Sequence, residues 1–319
     1  MNRLWLHMRS LWPRWTLLPV LPFYAFCTFV AWRGDLRWDH VGMLILIPLL
    51  VYGNARSKRL FNAIYPTILV ALLYDAMRYV KNVGVSPERV HNCDLRAIEM
   101  SLFGITIDGE RATLNDWFLT HHWTALDLYC AVPYGSFIFA SLACAVVLYF
   151  RDYAAVRRFV WTFFLMNVVA FITYHVYPAA PPWYYHAHGC EISMTAMPSA
   201  GPRLLNVDHV LGVHYFESMY ARSSDLYGAV PSLHVAYPLL ILREGWRTFR
   251  WPGRAFSILF FVSMGFSAVY LDHHWIVDIV LGTIYCLAAS ALVRFVEARF
   301  AARTAEAQAA EAAGRASAA

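Results

Sequence analysis

Long apolar runs alternate with short polar, arginine-bearing connections along most of the chain. A helix needs roughly 20 apolar residues to cross about 30 Å of hydrocarbon. About eight runs approach that length, near residues 15–32, 39–53, 60–80, 124–150, 157–177, 232–249, 254–272 and 275–297. The second is short and Pro48 interrupts it. Runs this continuous lack the alternation of membrane-barrel strands, and lipid offers an unpaired backbone no partner outside a helix or a closed barrel. The pattern predicts an all-α, polytopic membrane helix bundle of about eight spans.

Loop charge sets the expected orientation. Arg3, Arg9 and Arg14 precede the first span, and Arg56, Lys58 and Arg59 follow the second. Arg151, Arg157 and Arg158 follow the fourth, Arg243, Arg247, Arg250 and Arg254 the sixth, and Arg294, Arg299 and Arg303 the eighth. The alternate connections differ: residues 81–123 carry more acids than bases, and 272–274 reads Asp-His-His. Both termini are therefore expected in the cytoplasm, with the long loops 81–123 and 178–231 facing outward. The first span reads as a retained anchor, because no small-x-small cleavage site follows its apolar run. Residues 299–319 form an Ala-rich cytoplasmic tail, expected to be a frayed helix or disordered.

Composition narrows the class further. With 59% hydrophobic and 15% charged residues and a mean hydropathy of +0.44, the chain departs from water-soluble domains, which run near one quarter charged. Its 12 Trp, 19 Tyr and 21 Phe, with no dense basic arm, exclude disorder and nucleic-acid binding. Cys27, Cys130, Cys144 and Cys286 fall in spans, whereas Cys93 and Cys190 lie one in each outward loop and can pair if that side is oxidising. Lysine occurs only at positions 58 and 81 among 26 basic residues. That bias suggests a GC-rich genome and a bacterial inner membrane.

Ionisable residues at the membrane edge are the first candidates for chemistry. Gly228-Ala229-Val230-Pro231-Ser232-Leu233-His234 leads into the sixth span, and Asp272-His273-His274-Trp275-Ile276-Val277-Asp278 leads into the eighth. Both stretches are expected at outer helix ends. Pro231 suits a first helical turn and Ser232 lies among unpaired amides, so two positive dipole ends are expected to converge on one anion. His274 and Asp278 are four apart, on one helical face. The carboxylate then takes one imidazole N–H and leaves the other nitrogen free to attack, while His234 supplies a second imidazole for proton transfer. His273 points to another face. A zinc site built on Asp272, His273, His274 and His234 has no His-Glu-x-x-His or paired-Cys support, and neither metal nor cofactor is expected.

At these residues the chain resembles the type 2 phosphatidic acid phosphatase superfamily, and within it the inositol phosphorylceramide synthase branch. The resemblance covers about residues 60–298 and rests on four motifs in order: Tyr177-Pro178-Ala179-Ala180-Pro181-Pro182-Trp183-Tyr184, then Met197-Pro198 with Asp208-His209-Val210-Leu211-Gly212, then the stretches ending at His234 and at Asp278. It implies a six-helix catalytic core over 60–298 behind two N-terminal helices in 1–59. It also implies that His274 is the nucleophile, that Asp278 orients it, and that His234 handles the leaving-group proton. Phosphatases of the superfamily place an Arg six residues before the nucleophile and a Lys-to-Arg-Pro signature on an earlier helix. Here Ala268 stands at the first position and the second is missing, as in the synthase branch. A phosphodiester has one charge and two terminal oxygens, so it needs fewer guanidinium clamps than a monoester. Ser232, Arg78, Lys81, His175, Tyr177 and Trp183 are the candidate substrate contacts, with Trp183, Tyr184 and Tyr185 expected at headgroup depth. The implied donor is a phospholipid, phosphatidylinositol foremost, and the implied acceptor a lipid alcohol, ceramide foremost. The alternatives are a lipid phosphatase, in which water attacks the phosphohistidine, and a non-catalytic lipid-binding protein.

Overall fold

The computed structural model describes residues 3–81, 83–221 and 226–317, the side chains of 307 and 309–317 excepted. The chain divides into two compact units, Met1–Val80 and Lys81–Ala319. The sequence division at residue 59 separates the helices differently, since Ala55–Val80 packs with the N-terminal helices.

The first unit contains α1 (Arg3–Leu11), α2 (Leu21–Trp32), α3 (Trp38–Tyr52) and α4 (Ala55–Val80). Phe23, Ile47, Val51, Phe61 and Leu72 form its core. Asp75 gathers three bases: His40 at 2.9 Å, Arg37 at 3.1 Å and Arg78 at 3.1 Å.

The second unit begins with α5 (Cys93–Phe103), a hairpin of β1 (Ile105–Ile107) and β2 (Glu110–Ala112), and α6 (Leu114–Thr120). Then come α7 (Thr124–Arg151), α8 (Tyr153–Val176), α9 (Pro182–His188), α10 (Gly201–Leu211) and α11 (Tyr215–Ala221). The last three are α12 (Leu233–Gly245), α13 (Trp251–Tyr270) and α14 (Ile276–Ser317). Local signals explain several boundaries. Thr113 and Asp116 close a capping box on α6, Asp152 caps α8 through the Ala155 amide, and prolines sit in the first turn of α9, α10 and α13. Gly212 ends α10 in the left-handed region, at φ 65°.

α12 is the centre of this unit and packs against α7, α8, α13 and α14. It buries Leu233, Val235, Ala236, Tyr237, Leu240 and Ile241, residues on more than one face, as expected of a helix enclosed by others. At its C-terminal end Glu244 is buried and paired with Arg294 at 2.8 Å, accepts from Ser290 at 3.0 Å, and has Arg158 at 3.4 Å. This ion pair ties α8, α12 and α14 together.

α4, α7, α8, α13 and the 276–306 part of α14 are long and apolar enough to cross a membrane. The chain is an integral membrane protein. The other three anticipated spans are shorter as helices: α2 has 12 residues, α3 has 15 and α12 has 13. At 1.5 Å per residue α2 is about 18 Å long. The Ala-rich tail continues α14 to Ser317 as helix; its last two residues lie outside the described ones.

The two long loops are bound to each other. Cys93 and Cys190 form a disulfide, and the Asn92 side-chain amide donates to the Gly189 carbonyl at 2.8 Å. Ala179 bridges in parallel to His91 on one side and Gly228 on the other. Trp183 and Tyr184 are buried with Val90, Ala180 and Tyr227. Both residues lie in the first turn of α9, opened by Pro182, and face a protein core, not the lipid-facing belt that the sequence pattern suggests.

Candidate active site

The α13–α14 turn carries two of the candidate residues, His273 and His274. Its amides fold back on the end of α13, with His273 and His274 both donating to the Ala268 carbonyl, at 3.1 and 3.0 Å. Ala268 is fully buried. Asp272 takes a left-handed backbone, φ 68°, a conformation Asp tolerates better than most residues. Its carbonyl accepts the Trp183 amide at 2.9 Å. The Asn115 side-chain amide reaches the Asp272 carboxylate at 3.2 Å and the His274 carbonyl at 3.3 Å.

His234 and His274, forty residues apart in sequence, meet in space. His234 Nδ1 lies 3.1 Å from His274 Nε2, and His274 Nδ1 lies 3.3 Å from Asp278 Oδ2. With Asp278 as acceptor, His274 Nδ1 holds the proton, its Nε2 presents a lone pair, and His234 Nδ1 is the donor between the rings. The His234 ring stacks on Tyr134 with centroids 4.3 Å apart. Burial lowers the His274 imidazole to about 4, opposed by its hydrogen bond to the Ala229 carbonyl, so it is the free base at neutral pH. His273 points away. Its Nε2 donates to the Ala200 carbonyl at 2.9 Å and its Nδ1 meets the Tyr220 hydroxyl at 3.2 Å.

Two details differ from the sequence expectation. α14 begins at Ile276, so His274 precedes the helix and does not share a helical face with Asp278. Asp278 instead closes the third position of the helix back on the Trp275 amide, at 2.9 Å, and receives His274 with the same oxygen. Pro231 likewise lies ahead of α12, where Ser232 is the cap residue. The second difference concerns anion binding. The Ile276 and Val277 amides both donate to the buried Glu99 carboxylate, each at 3.0 Å. The first turn of α14 is thus satisfied by the protein's own acids. The Ser232 amide donates to the Asp278 carbonyl at 3.0 Å, and its buried hydroxyl has no partner among the described residues. A Cβ at Gly282 would meet the Ser232 carbonyl oxygen at 2.2 Å, so only glycine allows the starts of α12 and α14 to approach this closely.

The remaining candidates spread out. Tyr177 packs with Leu95, Ala229, Val230 and Trp275 and stacks on His91 at 3.7 Å. Burial, then the Asp94 and Asp278 charges, raises its hydroxyl. His175 Nδ1 bonds the Phe171 carbonyl of its own helix at 2.8 Å. Trp183 is buried. Lys81 is exposed at the start of the second unit. Arg78 belongs to the first unit, where it pairs with Asp75 and lies over the Tyr79 ring at 4.8 Å.

Sequence reasoning missed Glu99, Asn115, Asp116, His186 and Arg203. His186 bridges two carboxylates, with Nδ1 2.7 Å from Asp272 and Nε2 2.9 Å from Asp116, and Asp116 also pairs with Arg96 at 2.9 Å. Burial alone would lower His186, but its hydrogen bonds to Asp116 and Asp272 outweigh it and raise the imidazole to about 9. Asp116 is held below the usual carboxylate range: burial opposes this, and the His186 and Thr113 hydrogen bonds prevail. The Thr113-x-x-Asp116 spacing was a readable capping signal; nothing marked His186. Among the described residues no group of His, Cys, Asp and Glu is arranged to hold a metal ion.

The central helix and the start of the terminal helix of this bundle bring two histidines and an aspartate together. The family model of the PAP2 superfamily matches residues 103–292, and the chain belongs to that superfamily. The chain is 30% identical over 269 residues to the phosphoinositol dihydroceramide synthase of Bacteroides thetaiotaomicron, covering 84% of this chain and 87% of that one. It is 30% identical over 196 residues to the inositol phosphorylceramide synthase of Candida albicans, covering 60% of this chain and 40% of the relative. With the catalytic subunit of the Saccharomyces cerevisiae inositol phosphorylceramide synthase it shares 27% identity over 278 residues, 86% of this chain and 65% of the relative. The match thus spans less than two thirds of each fungal protein. No solved structure matches the chain.

Proposed function

We propose that this protein is a lipid phosphotransferase that moves a phosphoinositol headgroup from phosphatidylinositol to ceramide or a related lipid hydroxyl and releases diacylglycerol. The observation that carries the reading is the line from Asp278 through His274 to His234, with imidazole nitrogens 3.1 Å apart. The likeness to phosphoinositol and inositol phosphorylceramide synthases supports the choice of headgroup and acceptor.

In this reading His274 Nε2 attacks phosphorus and the bond to the diacylglycerol oxygen breaks. An anionic phosphodiester beside His234 favours its protonated form, and that proton goes to the departing oxygen. Neutral His234 then removes the proton from the acceptor hydroxyl as it attacks the phosphohistidine, which regenerates both imidazoles. Proton transfer of this kind contributes ~10²–10⁴-fold. Asp278 holds the Nδ1 proton and offsets the charge that develops on the ring. The Ser232 hydroxyl is assigned to a non-bridging oxygen. The arginine-rich connections read as cytoplasmic, so the site faces the periplasmic side of a bacterial inner membrane.

The test is purified full-length protein with headgroup-labelled phosphatidylinositol, given ceramide or diacylglycerol separately. Labelled phosphoinositol-ceramide with stoichiometric diacylglycerol supports the reading. Release of free phosphate from phosphatidic acid without headgroup transfer makes the protein a phosphatase instead.

A further inference from the structure

A cavity of about 400 Å³ opens beside the catalytic turn, with His122, Trp123, Asp127, Arg203, Asn206 and Asp272 among its walls. Its volume falls in the range of small-molecule sites. At ~30 Å³ per water it accommodates on the order of a dozen water-sized groups. The rim and floor differ sharply. Trp123 is 58% exposed, whereas Asp127, Asp272 and Arg203 are 1%, 3% and 6% exposed. The rim lies where α7, a helix long enough to span the membrane, begins at Thr124. Headgroups lie at such helix ends, and an amphipathic Trp is favoured there.

The floor selects by charge. Asp127 and Asp272 line the same cavity as Arg203 and interact with its charge, and His186, carrying its proton at neutral pH, sits on Asp272 at 2.7 Å. Counting Asp116 on the other side of His186 and its partner Arg96, three acidic and three basic groups balance. An added anion would meet two buried carboxylates, and an apolar ligand would strand the polar walls. Donors and acceptors are interleaved instead. Asn206 donates to Asp127 at 3.1 Å and keeps its amide oxygen. Asp127 also accepts from Tyr270 at 2.6 Å, while Arg203 bonds the Phe118 carbonyl and has an Nη1 without a partner among the described residues. Each hydroxyl of a polyol both donates and accepts, which matches this mixture. Asp272 is two residues before His274, so their Cα atoms are within about 7.6 Å.

We propose that this cavity is the headgroup subsite, taking the neutral polyol ring of the donor lipid while its phosphate lies at His274. The proposal rests on the phosphotransferase reading for the placement of the phosphate, and its test separates the two. Binding of labelled short-chain phosphatidylinositol is measured by equilibrium dialysis on full-length His274→Ala protein, which removes turnover. Adding Asn206→Leu, or Thr124→Leu at the exposed rim, is expected to weaken this binding about tenfold or more. Short-chain phosphatidylcholine binding is expected to stay unchanged, and intrinsic fluorescence and thermal midpoint report that each variant is folded. Folded variants of both kinds that bind phosphatidylinositol as before overturn the subsite. If the variants lose binding while the otherwise native enzyme transfers no headgroup, the subsite stands and the phosphotransferase reading fails.

Discussion

Glu99 caps a helix to which it does not belong: its Oε1 accepts the Ile276 amide at 3.0 Å, and its other oxygen takes the next amide along. Hydrogen bonds to a charged group contribute about 1.5–3 kcal/mol. The Glu99→Ala variant is expected to lose about that much, with the thermal midpoint in detergent lowered. Because Asp278 and His274 are held at that helix start, kcat should fall more than the donor KM rises. Glu99→Gln, which keeps one acceptor oxygen, should recover part of both. Unchanged stability and turnover in Glu99→Ala would remove the cap from the account.

Asp278→Asn replaces the acceptor on His274 Nδ1 with an amide that can donate there and favour the wrong tautomer. Its size and its place in the helix are kept. The expected loss in kcat is on the order of 10²–10⁴-fold, with little change in the circular dichroism of the helices. A variant that retains near-native kcat would assign Asp278 to helix capping alone.

The Asp116–His186–Asp272 clasp makes stability depend on pH. His186 is raised from its ordinary 6.5 to about 9 on folding. Its contribution is therefore fully present below pH 6.5 and is lost as pH rises through about 9. The thermal midpoint should decline from pH 7 to 9.5, and His186→Gln should flatten that decline. A decline of equal size in His186→Gln would assign it to other groups.

The sequence made the long helices legible because α7, α8 and α13 are apolar through most of their length, as a helix in lipid must be. The His274–Asp278 spacing was also legible, although the carboxylate reaches back along a helix start and not across a helical face. The apolar residues of α12 predict a span, yet it is a 13-residue helix hidden by four others. Glu99, His186 and Arg203 were not legible. Each comes from a short helix within a long loop, and its aim is set by packing and by the Cys93–Cys190 tie, which local periodicity does not encode. Trp183 illustrates the same limit: an aromatic after two prolines reads as interfacial until Val90 and Tyr227 are found around it.

The disulfide joins residues 97 apart in sequence. Removing such a link typically costs about 2–5 kcal/mol. Cys93→Ser should destabilise the loop pair that carries Glu99 and His186, lowering the thermal midpoint and activity together. Mass spectrometry of alkylated protein should show two fewer modifiable thiols before reduction than after it. Equal alkylation before and after would contradict the pairing.

In the proposed mechanism His274 takes the phosphoinositol group from the donor lipid. Brief incubation with phosphorus-labelled phosphatidylinositol, without acceptor, followed by alkaline quench and peptide mass spectrometry, tests it directly. An acid-labile phosphoinositol adduct is expected on the peptide containing His274. The adduct should be discharged by ceramide and absent from His274→Ala. Headgroup transfer to ceramide that persists in His274→Ala would contradict it.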